Sequence, residues 1–268
     1  MQAHTGASVN TVLPLWKGAI WDLNRIEPLD INTDDFRKNG VYFNSRLRSA
    51  VNRRMFHQVF SAPTINTQFR LSAGMAYTTW KGHQLESMTQ NMDGRHRLSL
   101  AVGQFRNDTL ARNNQKDYHL ATYRFANNAE HTIATEITYG KFWGGDTGYQ
   151  ILQRFWHGDT NVSIYLRRSQ MPDGTPTASF AGLQFTIPLT PRRNIGYENF
   201  GLRGVNQWTY SLESRIFNRE NLLTAGYGEI PRFGENLPQL FNRDRNGQSY
   251  LKEESWRMKN SFNQLSLE

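Results

Sequence analysis

The sequence contains no cysteine. That excludes disulfide-stapled scaffolds, thiolate metal sites and thiol nucleophiles. It also lacks any run of about 20 apolar residues, the length a membrane-crossing helix needs, so a helical membrane protein is excluded. Residues 1–10 show no basic stretch leading into an apolar one, and so no secretory signal. Taken alone this points to a cytoplasmic chain; the other reading is a chain that lacks its start. Only 38% of the 268 residues are hydrophobic and the mean hydropathy is −0.67. Aromatics are not scarce, however: they make up 13%. A disordered chain would be poor in them. The length suits one large domain or two small ones. A formal net charge of +8 permits an acidic partner (nucleic acid, anionic lipid or anionic glycan) and selects none.

What the sequence does have is alternation. In residues 207–217, Trp208, Tyr210, Leu212 and Ile216 share one parity; Gln207, Thr209, Ser211, Glu213 and Arg215 share the other. Successive strand side chains point to opposite faces, so this is a strand with an apolar and a polar side. Residues 132–141, 161–167, 69–79 and 97–103 behave in the same way. Weaker candidates are 15–25, 45–55, 83–89, 118–125, 149–155, 177–189 and 222–229. Together they predict an all-β chain of about twelve strands, within a range of 10–14, in a single domain. Turn-like clusters separate them at 91–94, 127–128, 144–146, 157–159 and 172–174, where Asn, Asp and Gly supply positive φ and local hydrogen bonds. Short turns at this spacing make an antiparallel meander. A basic amphipathic helix is an alternative at 45–60, and 250–262 reads as a helix or a last strand. Longer irregular stretches fall at 29–44, 191–206 and 231–249.

Alternation by itself leaves two architectures open. A soluble sandwich alternates too. Strands near ten residues match the span a tilted membrane strand needs, against a soluble mode of about six. Aromatics near strand ends (Trp80, Phe105, Phe125, Phe142, Trp143, Phe155, Trp156, Trp208) suit the girdles of a transmembrane barrel. The expectation is therefore an antiparallel transmembrane β-barrel.

The order of several pieces resembles the YjbH/GfcD family of outer-membrane exopolysaccharide and capsule proteins. The carrying stretches are His96–Gly103, Thr138–Asp146, Gln153–Gly158 and Gly182–Pro188, with support from Leu13–Gly18, Asp34–Phe36, Ser45–Arg48, Leu71–Gly74, Leu202–Gly204 and Trp208–Leu212. The resemblance covers roughly residues 13–245. It implies a β-barrel in the bacterial outer membrane that serves exopolysaccharide or capsule export, beside other secretion proteins and without a cofactor. Members of that family are longer and begin with a signal sequence, so the resemblance implies that this chain corresponds to a C-terminal part. The chain ends in Leu267-Glu268, without the terminal aromatic found on many outer-membrane barrels. The rival readings are a soluble periplasmic glycan-binding β-protein and a glycan-modifying enzyme.

Candidate chemistry centres on the polar faces. Arg70, Arg97, Arg167 and Arg215 all lie opposite an apolar face. In a barrel they point into the lumen, where guanidinium groups form a rail for carboxylated or phosphorylated sugars. Trp80 and Tyr165 on the same side would stack on sugar rings. The plainer alternative is that the arginines pair with Glu136 and Glu213 and fill the interior. Catalytic patterns are thin. Glu130 with Glu136, and Asp34 with Asp35, are carboxylate pairs whose separation a sequence cannot give. Asp146–Gly148 matches an aspartic-protease triplet in a single copy. The seven His show no zinc-helix spacing, and there is no nucleophile elbow or phosphate loop. Asn242, Asp244 and Asn246, with Gly247 and Glu253, follow the spacing of a calcium loop, but position 1 is an uncharged Asn, two arginines are interleaved and Ser249 takes the usual apolar position, so a polar hairpin loop explains them better. Basic residues spread over many strands do not make a nucleic-acid patch.

Overall fold

The computed structural model describes residues 4–31, 48–112, 114–129, 131–157, 160–173, 176–188, 195–197, 200–202, 207–217, 227–231, 233 and 237. Among them the chain is all-β. The strands are β1 (His4–Trp16), β2 (Ala19–Ile31), β3 (Ala50–Ala62), β4 (Thr67–Ala76), β5 (Trp80–Gln90), β6 (His96–Arg106), β7 (Gln115–Ala126), β8 (Ile133–Lys141), β9 (Thr147–His157), β10 (Thr160–Gln170), β11 (Ala178–Pro188), β12 (Ile195–Tyr197), β13 (Phe200–Leu202) and β14 (Gln207–Ile216). Twelve of them form one antiparallel sheet in chain order, β1 through β11 and then β14, while β12 and β13 pair separately. The hydrogen-bonded order runs from β1 to β14 and does not return to β1.

Twelve strands were expected, but they are not all in the expected places. The chain turns at Lys17-Gly18, near the start of the run expected at 15–25, and so makes two strands of thirteen residues each. Gly18 takes φ +80° there, and its carbonyl accepts from the Val59 N–H at 2.7 Å. Of the helix considered at 45–60, the described residues 48–60 form none. Residues 50–62 are β3, paired with β2 on one side and β4 on the other. Two ladders of backbone bonds outweigh a weak amphipathic stripe, and Val51 and Val59 favour the pleat. The strand considered at 222–229 is absent at 227–229, where 227 and 228 are bends; 222–226 lie outside the described residues. Part of the stretch read as irregular at 191–206 forms the small β12–β13 pair. Residues 34–35, 130, 242–253 and 250–262 also lie outside the described residues, and with them the loop carboxylates Asp34 and Asp35, the Glu130 partner and the calcium-loop spacing.

The faces are inverted relative to a protein folded in water. Along β10, Asn161, Ser163, Arg167 and Ser169 are buried, whereas Ile164 and Leu166 are 52% and 51% exposed. Along β8, Ala134, Glu136 and Thr138 are buried and Ile137 and Tyr139 exposed. Strand β6 buries Arg97 and presents Leu98, Leu100 and Val102. Water would favour the reverse, since burying each aliphatic side chain is worth about 1.5–3 kcal/mol.

The expected aromatic girdle is corrected in its membership. Phe105, Phe142, Trp143 and Trp156 are buried. Phe105 shares the parity of Arg97 on β6 and so turns to the buried side; Phe142 and Trp143 lie in the β8–β9 turn and are buried there. Trp208 is exposed as expected, and Trp16, Trp21, Phe60, Tyr123, Tyr139, Tyr149 and Tyr210 join it, all within three residues of a strand end. An aromatic fringe is present on the exposed face.

The chain divides into two compact units. One comprises Met1–Met88, Ala101–Tyr118 and Pro231–Leu240; the other Thr89–Leu100, His119–Ile230 and Phe241–Glu268. Each has its own buried polar face.

Candidate functional site: the buried polar faces

In the first unit Arg70, on β4, is 1% exposed and ion-pairs with Glu86 of β5 at 2.8 Å. Its Nη1 also donates to the Phe233 carbonyl at 3.4 Å. Gln84, two residues before Glu86 and on the same face, donates to the Glu86 carboxylate. Trp80 lies on this parity, half-buried, with the Lys116 ammonium 5.2 Å from its ring centroid. Gly103 is bare because the Tyr118 ring lies over it: a Cβ there would come within 2.5 Å of the ring.

A second cluster in this unit joins β2, β3 and β4. Arg53 clamps Asp22 through Nε at 2.8 Å and Nη2 at 2.9 Å, and reaches Asn10 with the same Nη2. His57 Nε2 stands 3.5 Å from Asp22, and His57 Nδ1 is 2.8 Å from Ser72 Oγ. His57 and Ser72 are direct partners across β3 and β4. The order Ser, His, Asp is that of a nucleophilic relay. All three side chains are buried, Ser72 to 3% exposure.

In the second unit three arginines surround one carboxylate. Glu136 Oε2 lies 3.1 Å from Arg154 Nη2, and Oε1 lies 3.7 Å from Arg97 and 3.8 Å from Arg124. The register makes this so: Arg124 and Glu136 are direct partners across β7 and β8, and Arg154 pairs with Ala134 one inward position away. Burying a charge is tolerable when it is paired. Further along the face, Arg167 donates to Glu213 Oε1 and the Tyr165 hydroxyl to Glu213 Oε2, both at 2.7 Å. The Arg167 guanidinium lies 4.9 Å from the Phe180 centroid. Arg215 continues that row, since Arg167, Phe180 and Arg215 are consecutive partners across β10, β11 and β14.

All eight residues singled out in the sequence therefore have the buried-face parity. The structure brings Arg97 to Glu136, and Arg167 and Tyr165 to Glu213 beside Arg215, in the second unit; Arg70 and Trp80 lie in the first, where Arg70 meets Glu86 and Trp80 meets Lys116. Arg70, Arg97 and Arg167 each have a carboxylate partner, as the interior-filling alternative supposes.

Several residues escaped sequence reading. Glu86, Arg124 and Arg154 were recoverable from parity once the hairpin register is known. Asp22 and His57 were hidden by the misplaced turn at Lys17-Gly18 and the helical alternative for β3. Asp146 was read in sequence only as a turn residue and a protease-like triplet; it is 0% exposed and accepts from the Gly228 N–H at 2.8 Å, and nothing local signals that partner or Phe233, 1% exposed. Comparison with protein-family models, with curated proteins and with solved structures finds no match for this chain.

Proposed function

We propose that this chain spans a bacterial outer membrane as a closed twelve-stranded β-barrel. In this reading it takes part in exopolysaccharide or capsule export, as a non-enzymatic conduit or assembly factor beside other secretion proteins. The observation that carries the membrane part is the inversion of faces: paired arginines and carboxylates inside, leucine, isoleucine and valine outside. Lipid is the solvent that rewards such an arrangement, and it demands that every backbone group be paired, which strands satisfy only in a closed sheet. Among twelve antiparallel strands in chain order, the first and last run in opposite directions. Closure then adds one ordinary antiparallel pair, and the even count agrees with bacterial barrels. Strands of 9–13 residues suit the span.

The export role is supported by the resemblance of residues 13–245 to the YjbH/GfcD family and by a lumen lined with guanidinium groups and half-buried Trp80 and Tyr165, a chemistry suited to anionic sugars. The membrane part is tested by extraction and electrophoresis. The protein should need detergent and should migrate differently before and after boiling; extraction by buffer alone defeats it and favours a soluble glycan-binding sheet. The export part is tested by deleting the gene and measuring surface polysaccharide, with complementation by Arg215→Glu. A deletion that leaves the polymer unchanged removes it.

A further inference from the structure

The exposed face of the second unit is not uniformly apolar. Arg167 and Arg168 are neighbours in sequence and face opposite ways: Arg167 turns inward to Glu213, and Arg168 is exposed. Register sets Arg168 beside Tyr149 on β9 and Ser179 on β11, and Tyr149 beside Tyr139 on β8. Tyr139 is 62% and Tyr149 40% exposed. One outward position nearer the β8–β9 turn runs a second row, His119, Lys141, Thr147 and Gln170, each the partner of the next across β7, β8, β9 and β10. Neither row holds a carboxylate. One outward position the other way, the row is apolar. Ile137, Ile151 and Leu166 are again consecutive partners, and all three are exposed. Every one of these residues belongs to the second unit.

We propose that Arg168, Lys141, Tyr139 and Tyr149 form a binding site for a lipid with a phosphate headgroup, whose acyl chains lie along Ile137, Ile151 and Leu166. The site depends on the barrel reading above, which turns this face to lipid. Three features point to it. First, a guanidinium of lipid-facing parity is costly at the bilayer midplane and cheap only near the interface. Arg168 stands two residues from the end of β10, so its row lies at headgroup level. Second, the two polar rows offer donors and positive charge. Arg168 presents a planar fork that matches a phosphate, and it and the two phenol hydroxyls have no hydrogen-bond partner among the described residues. Lys141 lies two strands away, about 10 Å at the usual strand spacing, so both long side chains reach one phosphate between them. Third, the apolar row begins about 7 Å below along the strands. One patch thus gives charge to a headgroup and a dry surface to its chains. A soluble anion would use the first and leave the second bare, which selects a lipid.

The test is native mass spectrometry of the full chain in detergent. Dioleoyl phosphatidic acid is the probe, dioleoyl phosphatidylcholine the zwitterionic control and glycerol phosphate the soluble competitor. The parent should retain phosphatidic acid in preference to phosphatidylcholine, and glycerol phosphate should not displace it. Arg168→Gln with Lys141→Gln should weaken retention about thirtyfold, since each basic side chain at an anionic lipid surface is worth roughly fivefold. Arg168→Lys keeps the charge and should stay within about fivefold of the parent. Arg25→Gln with Lys81→Gln removes the same charge from exposed residues of the first unit and should change nothing. Equal retention by the Arg168→Gln, Lys141→Gln variant and the parent, or displacement by glycerol phosphate, overturns the lipid site; a heat-shifted mobility in the same samples leaves the barrel standing. A parent that needs no detergent and shows no heat shift brings down the barrel reading and the site with it.

Discussion

Tyr165 reaches across bare Gly182 to hydrogen-bond Glu213. The three are consecutive partners on β10, β11 and β14. A Cβ on Gly182 would come within 2.1 Å of the Tyr165 ring, whose hydroxyl meets Glu213 Oε2 at 2.7 Å. The glycine is the space that lets the ring lie along the sheet. Gly182→Val should push the ring off Glu213 and cost about 1–3 kcal/mol, the scale of overpacking. Urea unfolding checks this. Gly182→Val combined with Tyr165→Ala should recover part of the loss, whereas additive losses would show that ring and glycine do not share the space.

Glu136 is the anion for three guanidinium groups, and removing it leaves them facing one another. Glu136→Gln should cost about 3–5 kcal/mol, the range for breaking a buried ion pair. Adding Arg154→Met, which removes the closest of the three, should restore part of that stability. Double-mutant unfolding in detergent measures the coupling; zero coupling would mean that the cluster is screened by water.

The Ser72, His57, Asp22 row tests the non-enzymatic reading. Its hydroxyl is buried with the ring nitrogen beside it, so it is expected to fill the interior rather than attack a carbonyl. A fluorophosphonate probe should leave the chain unlabelled. Ser72→Ala should lower stability by about 1–3 kcal/mol, since it leaves the buried His57 Nδ1 without its partner. Labelling that disappears in Ser72→Ala would establish a nucleophile and favour the glycan-modifying alternative.

His131 sits in the β7–β8 turn with φ +56°. Burial, helped by the Arg124 guanidinium, holds its imidazole below the ordinary histidine value. The unfolded chain therefore takes up a proton first. Stability should be level above about pH 6.5, fall as pH drops through that value, and level off below the folded pKa. His131→Asn should flatten this dependence, and Asn tolerates the left-handed turn better than most residues. Midpoints of urea unfolding between pH 8 and 5 measure it; an equal slope in the variant would assign the effect to another group.

Parity carried much of this fold into the sequence. The inward set Asn161, Ser163, Tyr165, Arg167 and the outward set Val162, Ile164, Leu166 are readable from β10 alone, because strand side chains alternate whatever the sheet does. Turn placement was less legible. Lys17-Gly18 carries only one turn-forming residue, and the apolar residues on both sides hid the break between β1 and β2. Which aromatics face outward was carried by the same parity: Phe105 falls with Arg97 and is buried, Trp208 falls with Leu212 and is exposed. That arginines pair with Glu136 was open from sequence, but which ones (Arg97, Arg124 and Arg154) is set by strand pairing, and the return of Phe233 onto Phe105 by long-range packing, for which neighbouring residues hold no signal.

The central claim is that the apolar parity of these strands faces lipid. Single cysteines along β10, at positions 161–169 of a chain that has none, can carry spin labels in reconstituted liposomes. Collision with oxygen, which concentrates in lipid, should peak at Val162, Ile164, Leu166 and Arg168 and dip at Asn161, Ser163, Tyr165, Arg167 and Ser169. A water-soluble nickel reagent should not reach Ile164 and Leu166. Free access of that reagent to both positions, with no period-two oxygen pattern, would contradict the membrane account.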